Sequence, residues 1–225
     1  MKQVEVTTGE VALADIPAVV PRVVPANEAS WEDIQKVFGT RGDPSTCQCQ
    51  WFQNPGRSFG ELSDEVRESR LQSQTACGNA SAAKTSGLIA YLGDEAVGWC
   101  AVEPRTAYPR LLGSRIPWSG RNEDREDPDI WAVVCFVTRT GYRRQGVSRA
   151  LASAAVDFAR EHGAHALEGY PMVLPPGKKA AWGEMFVGSR NVFADAGFSE
   201  VSHPTPRRVV MRIDFPVQKQ PTSAP

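Results

Sequence analysis

Residues 137–148, VTRTGYRRQGVS, hold the clearest chemistry in the chain. An apolar run, WAVVCFV at 131–137, feeds a tight loop of arginine and glycine. That loop opens onto a stretch in which Val147, Leu151, Ala155 and Phe158 recur at helical spacing. A helix start leaves about four N–H groups unpaired and carries a partial positive charge. Gly146 has no Cβ, so an anion can approach the backbone closely. Arg143 and Arg144 add charge and paired donors. Together these make the chemistry of a pyrophosphate cradle. The plainer reading is an ordinary helix start with solvated arginines.

The elements around this segment alternate. Arg22–Val24 is a short apolar strand. Ser30 can cap a helix, with Asp33 three residues on, and Trp31, Ile34, Val37 and Phe38 share one face of it. The stretch RGDPSTCQCQWFQNPGRS reads as loop, and residues 61–75 as a second helix. Leu88–Leu92 and Ala96–Val102 flank Gly93-Asp94 as a hairpin. Residues 105–129 hold Pro109, Pro117, Pro128 and the run RNEDREDPD, which reads as a solvated loop, with a substrate-facing lid as the minority reading. Trp131–Val137 suits a central strand buried on both faces. His162 and Gly163 close the following helix. Ala166–Met172 is a further strand, Ser189–Ala196 a short helix stopped by Gly197, and Val201 and Arg208–Ile213 supply the last strands. Helices between some strands and hairpins between others predict an α/β layered sheet of mixed polarity.

At 225 residues the chain is one domain with trimmings: a flexible segment over 1–20, a single domain over 21–215, and a proline-rich, disordered tail over 216–225. A net charge of −1 provides no global basic field, so no nucleic acid or membrane partner is expected. No run nears ~20 apolar residues and no signal peptide is apparent. Five cysteines at irregular spacing (Cys47, Cys49, Cys77, Cys100, Cys135) read as free thiols in a reducing cytoplasm. Cys47-x-Cys49 lacks partners for zinc, because His162, His165 and His203 have no matching spacing; no metal is expected. Cys135 reads as a small buried hydrophobe and Trp99 and Trp131 as core. Trp51-Phe52 lines either the core or an acceptor pocket.

Arg143-x-x-Gly146-x-Ser148, after an apolar strand and before an amphipathic helix, resembles the acyl-CoA motif of the GCN5-related N-acetyltransferases. Phe193-Ala-Asp-Ala-Gly197-Phe198-Ser-Glu200-Val201 is similar to that family's closing helix, turn and strand. The resemblance is strongest over 86–214 and motif-poor over 22–85. It implies a mostly antiparallel sheet whose fourth and fifth strands splay, with acetyl-CoA in the gap as co-substrate. Phe136 and Val137 would offer backbone groups to the pantetheine. The N–H groups of Arg143, Arg144, Gln145, Gly146, Val147 and Ser148 would hold the pyrophosphate. Phe193 falls where the family often has a tyrosine near the acyl sulfur, and Phe has no proton to give. Phe186 stands about where the family has an asparagine.

The resemblance implies direct attack of an amine, from a small molecule or a peptide, on the thioester. The amine must first lose a proton, since a lysine-like amine titrates near 10. Carboxylates at strand ends are the candidate bases: Glu168, Glu103 and Asp129, with Glu168 preferred as nearest the presumed acyl end. Tyr170, on the same face two residues on, is the substitute acid. The competing reading is an acyl-CoA-binding sensor or scaffold without turnover, which Phe193 favours. A thiol or metal protein built on Cys47 and Cys49 is the third. Exposed edge strands make a homodimer a reasonable expectation.

Overall fold

Ser30 starts the first helix as the sequence requires, its hydroxyl accepting a hydrogen bond from the Asp33 N–H at 3.1 Å. The computed structural model describes residues 20–174 and 182–216. The segment expected to be flexible and the tail expected to be disordered fall outside these, but for one residue of each. Strand β1 (Arg22–Pro25) precedes that helix, α1 (Trp31–Phe38). A five-residue helix, α2 (Asp43–Cys47), lies where the glycine and proline content suggested only loop. α3 (Asp64–Thr75) is capped by Ser63 and starts three residues later than the composition indicated. β2 (Gly87–Leu92) and β3 (Glu95–Pro104) form the expected hairpin. A single turn, α4 (Pro109–Leu112), follows. Then come β4 (Ile130–Thr138), α5 (Val147–Glu161), β5 (Ala166–Gly169), α6 (Arg190–Asp195), β6 (Ser199–Thr205) and β7 (Arg208–Asp214).

The seven strands make one sheet in the order β1-β2-β3-β4-β5-β7-β6. Every neighbouring pair is antiparallel except β4 with β5, which α5 connects as a parallel crossover. β4 is the middle strand, as its unbroken apolar run requires. Its pairing with β5 covers only Ile130–Val133 against Ala166–Gly169. At the same level β4 bulges: Ala101 lies opposite Cys135 and Val102 opposite Val133, so Val134 is the extra residue. A bulge bends its strand and ends regular pairing. Beyond Val133 the β5-facing edge of β4 has no strand partner among the described residues. The fourth and fifth strands splay there.

Alternation along the strands divides the core between two faces. Leu88, Ala90, Cys100 and Val133 pack with Leu151, Ala155 and Phe158 of α5. Ile89, Tyr91, Trp99 and Ala101 pack with Ile34, Val37 and Phe38 of α1 on the other side. The start of α5 is drawn tightly onto the sheet at Gly98. A Cβ there would stand 2.4 Å from Val147 Cγ1, so only glycine lets the helix end sit this low. No helix among the described residues is long and apolar enough to cross a membrane.

Candidate active site

The N-terminus of α5 lies where β4 delivers the chain. Gly146 caps it at φ 79°, and among the described residues no side chain makes a capping hydrogen bond to its first turn. A Cβ built at Gly146 meets nothing within 4 Å, so the approach to those groups is open. Arg143, Arg144 and Gln145 are exposed beside it, while Val147 is buried against Gly98. Gln145 donates to the Gly141 carbonyl at 3.0 Å and closes the loop on itself. Ser148 Oγ lies 3.3 Å from Thr138 Oγ1, tying the helix start to the end of β4. Arg144 takes a left-handed conformation at φ 63°, which costs a non-glycine residue about 1 kcal/mol. The tight loop holds a strained residue next to an open helix end, a detail that residue types alone did not reveal.

Phe193, from α6, fills the base of the splay. Its ring stands edge-on to Phe136 and Phe198, with centroids 5.8 and 5.1 Å away, and is fully buried. Gly169 makes room for it, since a Cβ there would fall 2.2 Å from Phe193 Cε1. In this arrangement Phe193 has no surface to offer a ligand, whereas Val137 is partly exposed on the splayed edge. Gly169→Ala should therefore cost about 1–3 kcal/mol and lower Tm by several degrees, because a buried ring cannot give way. An unchanged melting curve would show that Phe193 is looser than this packing implies.

The carboxylates fall on one line across the sheet. Glu103 of β3 is opposite Ala132, Ala132 is opposite Glu168 of β5, and Glu168 is opposite Arg212 of β7. Residues in register share a face, and two strand spacings separate the acids by roughly 10 Å. Their surroundings push them apart in acidity.

Glu168 is fully buried and fully engaged. Arg121 and Arg212 donate to Oε1, the latter at 3.0 Å. Arg105 at 3.3 Å and the Tyr170 hydroxyl at 2.8 Å donate to Oε2. Burial pushes the Glu168 carboxyl up, but the hydrogen bonds and charge of Arg121, with Tyr170 and Arg105, more than offset this and hold it below the usual carboxylate range. Such a group is a poor base. Tyr170 is pushed well above its ordinary value by burial and by the Glu168 charge, and its proton points at Glu168. It is a poor acid for a thiolate.

Glu103 is the opposite case. Burial pushes its carboxyl up to about 7, partly offset by Gln53, which donates to Oε2 at 2.8 Å. The buried Tyr108 hydroxyl, without a hydrogen-bond partner of ordinary geometry, adds a weaker pull the same way. Asp129 is exposed just before β4, at the end of the strand opposite the splay and 3.5 Å from His165.

The 105–129 segment is only partly solvated. Arg105 is fully buried, caps Glu168 from above, and donates to the Asp124 carbonyl at 2.6 Å. Arg121 turns inward to Glu168 and Glu123. These two arginines, with Arg212 and Gln53, were the site residues that sequence reasoning missed. Burial of a charged side chain leaves no periodic mark.

A cavity of about 440 Å³ opens beside the end of β5, with Trp51, Phe52, Phe186, Val187 and Tyr170 in its wall. Trp51-Phe52 thus lines a pocket, and Phe186, 6.2 Å from Phe52 between ring centroids, faces it too. Gln53 and Tyr108 connect this wall to Glu103, each adjacent in sequence to a lining residue, Phe52 and Pro109. The five cysteines are free thiols. Cys49 accepts from the Trp99 indole at 3.3 Å, and burial pushes the Cys47 thiol up to about 11, so it is protonated near neutrality. Among the described residues no group of three or more His, Cys, Asp or Glu is placed to hold a metal.

A mixed seven-stranded sheet that splays after its one parallel pair, with an open helix end beside the splay, defines a GNAT-like fold. A sequence profile of the Acetyltransferase (GNAT) family matches residues 47–170, more than half of the chain, and the chain belongs to that family. The match takes in residues 47–85, where no motif had been recognised. No curated protein matches the chain. Similar solved structures include yncA from Salmonella typhimurium with its cofactor acetyl-CoA, at 12% identity over 91% of this chain and 99% of that one, TM-score 0.48. The GNAT domain of S. lividans PAT is 17% identical over 87% and 90%, TM-score 0.43. A GCN5-related N-acetyltransferase from Kribbella flavida is 16% identical over 87% and 98%, TM-score 0.45.

Proposed function

We propose that the chain is an acetyl-CoA-dependent N-acetyltransferase that works by direct attack of an amine in a ternary complex. The observation that carries this is the uncapped start of α5, open at Gly146 and set beside the splay of β4 from β5. The N–H groups from Arg143 to Ser148 would hold the pyrophosphate, and backbone groups of Phe136 and Val137 along the unpartnered edge of β4 would take the pantetheine. Acetyl-CoA, when bound, supplies the acyl group. The chain's own residues orient the amine in the 440 Å³ cavity and remove its proton.

The base role moves from Glu168 to Glu103, because a carboxyl near 7 is matched to proton transfer at neutral pH and Glu168 is not. Glu168 and Tyr170 become positioning residues: their ion cluster fixes the 105–129 segment, which forms part of the cavity wall. With Phe193 sealed in the core and Tyr170 committed to Glu168, protonation of the leaving thiolate falls to the amine's own proton or to water.

The second reading, a module that binds acyl-CoA without turnover, is favoured by Phe193 alone. Thiol release with any amine eliminates it.

The cradle is tested by Arg143→Ala combined with Gly146→Asp. A carboxylate and a Cβ would then stand in the anion's path. At 100-fold excess over Kd a ligand stabilises by about 2.7 kcal/mol, several degrees in Tm for this size. The double variant should show no acetyl-CoA-dependent shift, and its unliganded Tm should fall by only a few degrees, from the side chain placed at φ 79°. A retained shift would rule out this cradle.

A further inference from the structure

Glu103 borders a second, much smaller cavity. It measures about 10 Å³, room for one water molecule, and shares no lining residue with the large cavity beside β5. Ser86 and Tyr108 stand in its wall with Glu103 and Gln53. Ser86 directly precedes β2, whose first residue, Gly87, pairs with Ala101 of β3, two positions before Glu103. Tyr108 directly precedes α4. Separate segments thus bring hydroxyls to the carboxyl end of one strand. Ser86 is 4% exposed and Tyr108 1%, and neither hydroxyl has a hydrogen-bond partner among the described residues. They are the only two buried hydroxyls there in that state, and both belong to this one wall. A buried hydroxyl left unpaired is costly, and native proteins seldom keep two together. Tyr108 pulls weakly on Glu103 without closing an ordinary hydrogen bond to it. A polar contact that does not close directly is where a bridging water fits.

We propose that this cavity binds one water molecule, which accepts from the Ser86 and Tyr108 hydroxyls and donates to the Glu103 carboxylate, and that Ser86 and Tyr108 are thereby positioning residues for Glu103. Three partners are the usual number for a buried water. Gln53 holds the carboxyl directly through Oε2 at 2.8 Å, and the water gives it a second hold. The water lies outside the space the acceptor fills. Its binding stands on the cavity alone, while its bearing on catalysis rests on Glu103 being the base.

Ser86→Ala deletes one hydroxyl and little else, and the sign of its effect decides. A hydroxyl with no partner is a burden, so its removal raises Tm. A hydroxyl that anchors a water leaves that water a bond short when removed, and Tm should fall by about 2–4 °C. A rise or an unchanged Tm would overturn the inference. A high-resolution crystal structure of the full chain should show one density peak within about 3 Å of both hydroxyls, and the lack of that peak would also overturn it. The Ser86 hydroxyl makes no hydrogen bond to Glu103 itself, so the carboxyl's titration, followed by carbon-13 NMR in Ser86→Ala, reports on the water. Tyr108 and Cys49 are the other titratable groups lining the cavity. The Glu103 titration should move to higher pH by about one unit, because the charged form has lost a donor. An unmoved titration would overturn the inference and leave the base role untouched. The pH dependence of CoA release separates the two readings. A carboxyl that moves while the rate limb stays refutes Glu103 as the base and leaves the water site standing. Both moving together supports both.

Discussion

Glu168→Ala should lose about 3–5 kcal/mol of folding stability, a large share of the 5–15 typical of a domain. The acid is the common anion of three guanidinium groups, and one of them, Arg105, has no exposed surface. Removing it strands buried charge that the exposed Glu123 cannot cover from one side. The Tyr170 hydroxyl loses its acceptor as well. In urea the midpoint should fall sharply at unchanged slope. The pH dependence has a definite sign. The folded carboxyl sits below its unfolded value, so its contribution is present above the ordinary carboxylate pKa and is lost as pH falls through the depressed one. The parent's margin over Glu168→Ala should therefore shrink only in acid. Glu168→Gln keeps the shape and an acceptor for Tyr170, and should lose less. Kept folded in the cold, it should retain the parent's pH–rate profile, which a general base could not do. Wild-type stability in Glu168→Ala would mean the cluster is a surface feature after all.

Much of the scaffold was legible because it depends on local periodicity and punctuation. Ser30 with Asp33, the Gly93-Asp94 turn, the apolar run of β4 and the helical spacing of α5 each declare themselves within a dozen residues. The passage from β4 to α5 was equally local: one strand, one loop and one helix start. What escaped was set by distance along the chain. Arg105 and Arg121 reach Glu168 across 63 and 47 residues, and nothing in RNEDREDPD marks its first residue as the inward one. Charged residues are seldom fully buried, so a solvated loop was the natural expectation. The same distance reversed the choice between the two acids. Glu168 looked closer to the chemistry, but the arginines that fold over it hold its carboxyl below the usual range. Glu103 gained its basicity from burial beneath Gln53 and Tyr108, which lie in segments that composition left as loop.

Glu103→Gln should cut kcat/KM by about 10²-fold or more, the usual share of a general base. The parent's rate should rise with pH through about 7 as Glu103 loses its proton, and the variant should lack that limb, keeping only the rise set by the acceptor amine itself. Stability should move the other way. Between the unfolded carboxyl's ordinary pKa and about 7 the folded chain holds a proton that the unfolded chain has released. The contribution is full below the unfolded value and is lost as pH rises through about 7. A glutamine cannot charge, so at pH 8 the variant should be more stable than the parent, by up to about 3 kcal/mol, and at pH 4 the two should be alike. The two readouts constrain each other. A residue that merely packs could lower activity when changed, but would not remove a limb near 7 and raise Tm in alkali together. Loss of activity with the limb intact would place the base elsewhere. Loss of the limb without the alkaline gain in Tm would mean that Glu103 titrates near 7 only when acceptor is bound. On the proposed mechanism, the burial that makes Glu103 costly to ionise in the resting fold would also make it basic enough to take the amine's proton.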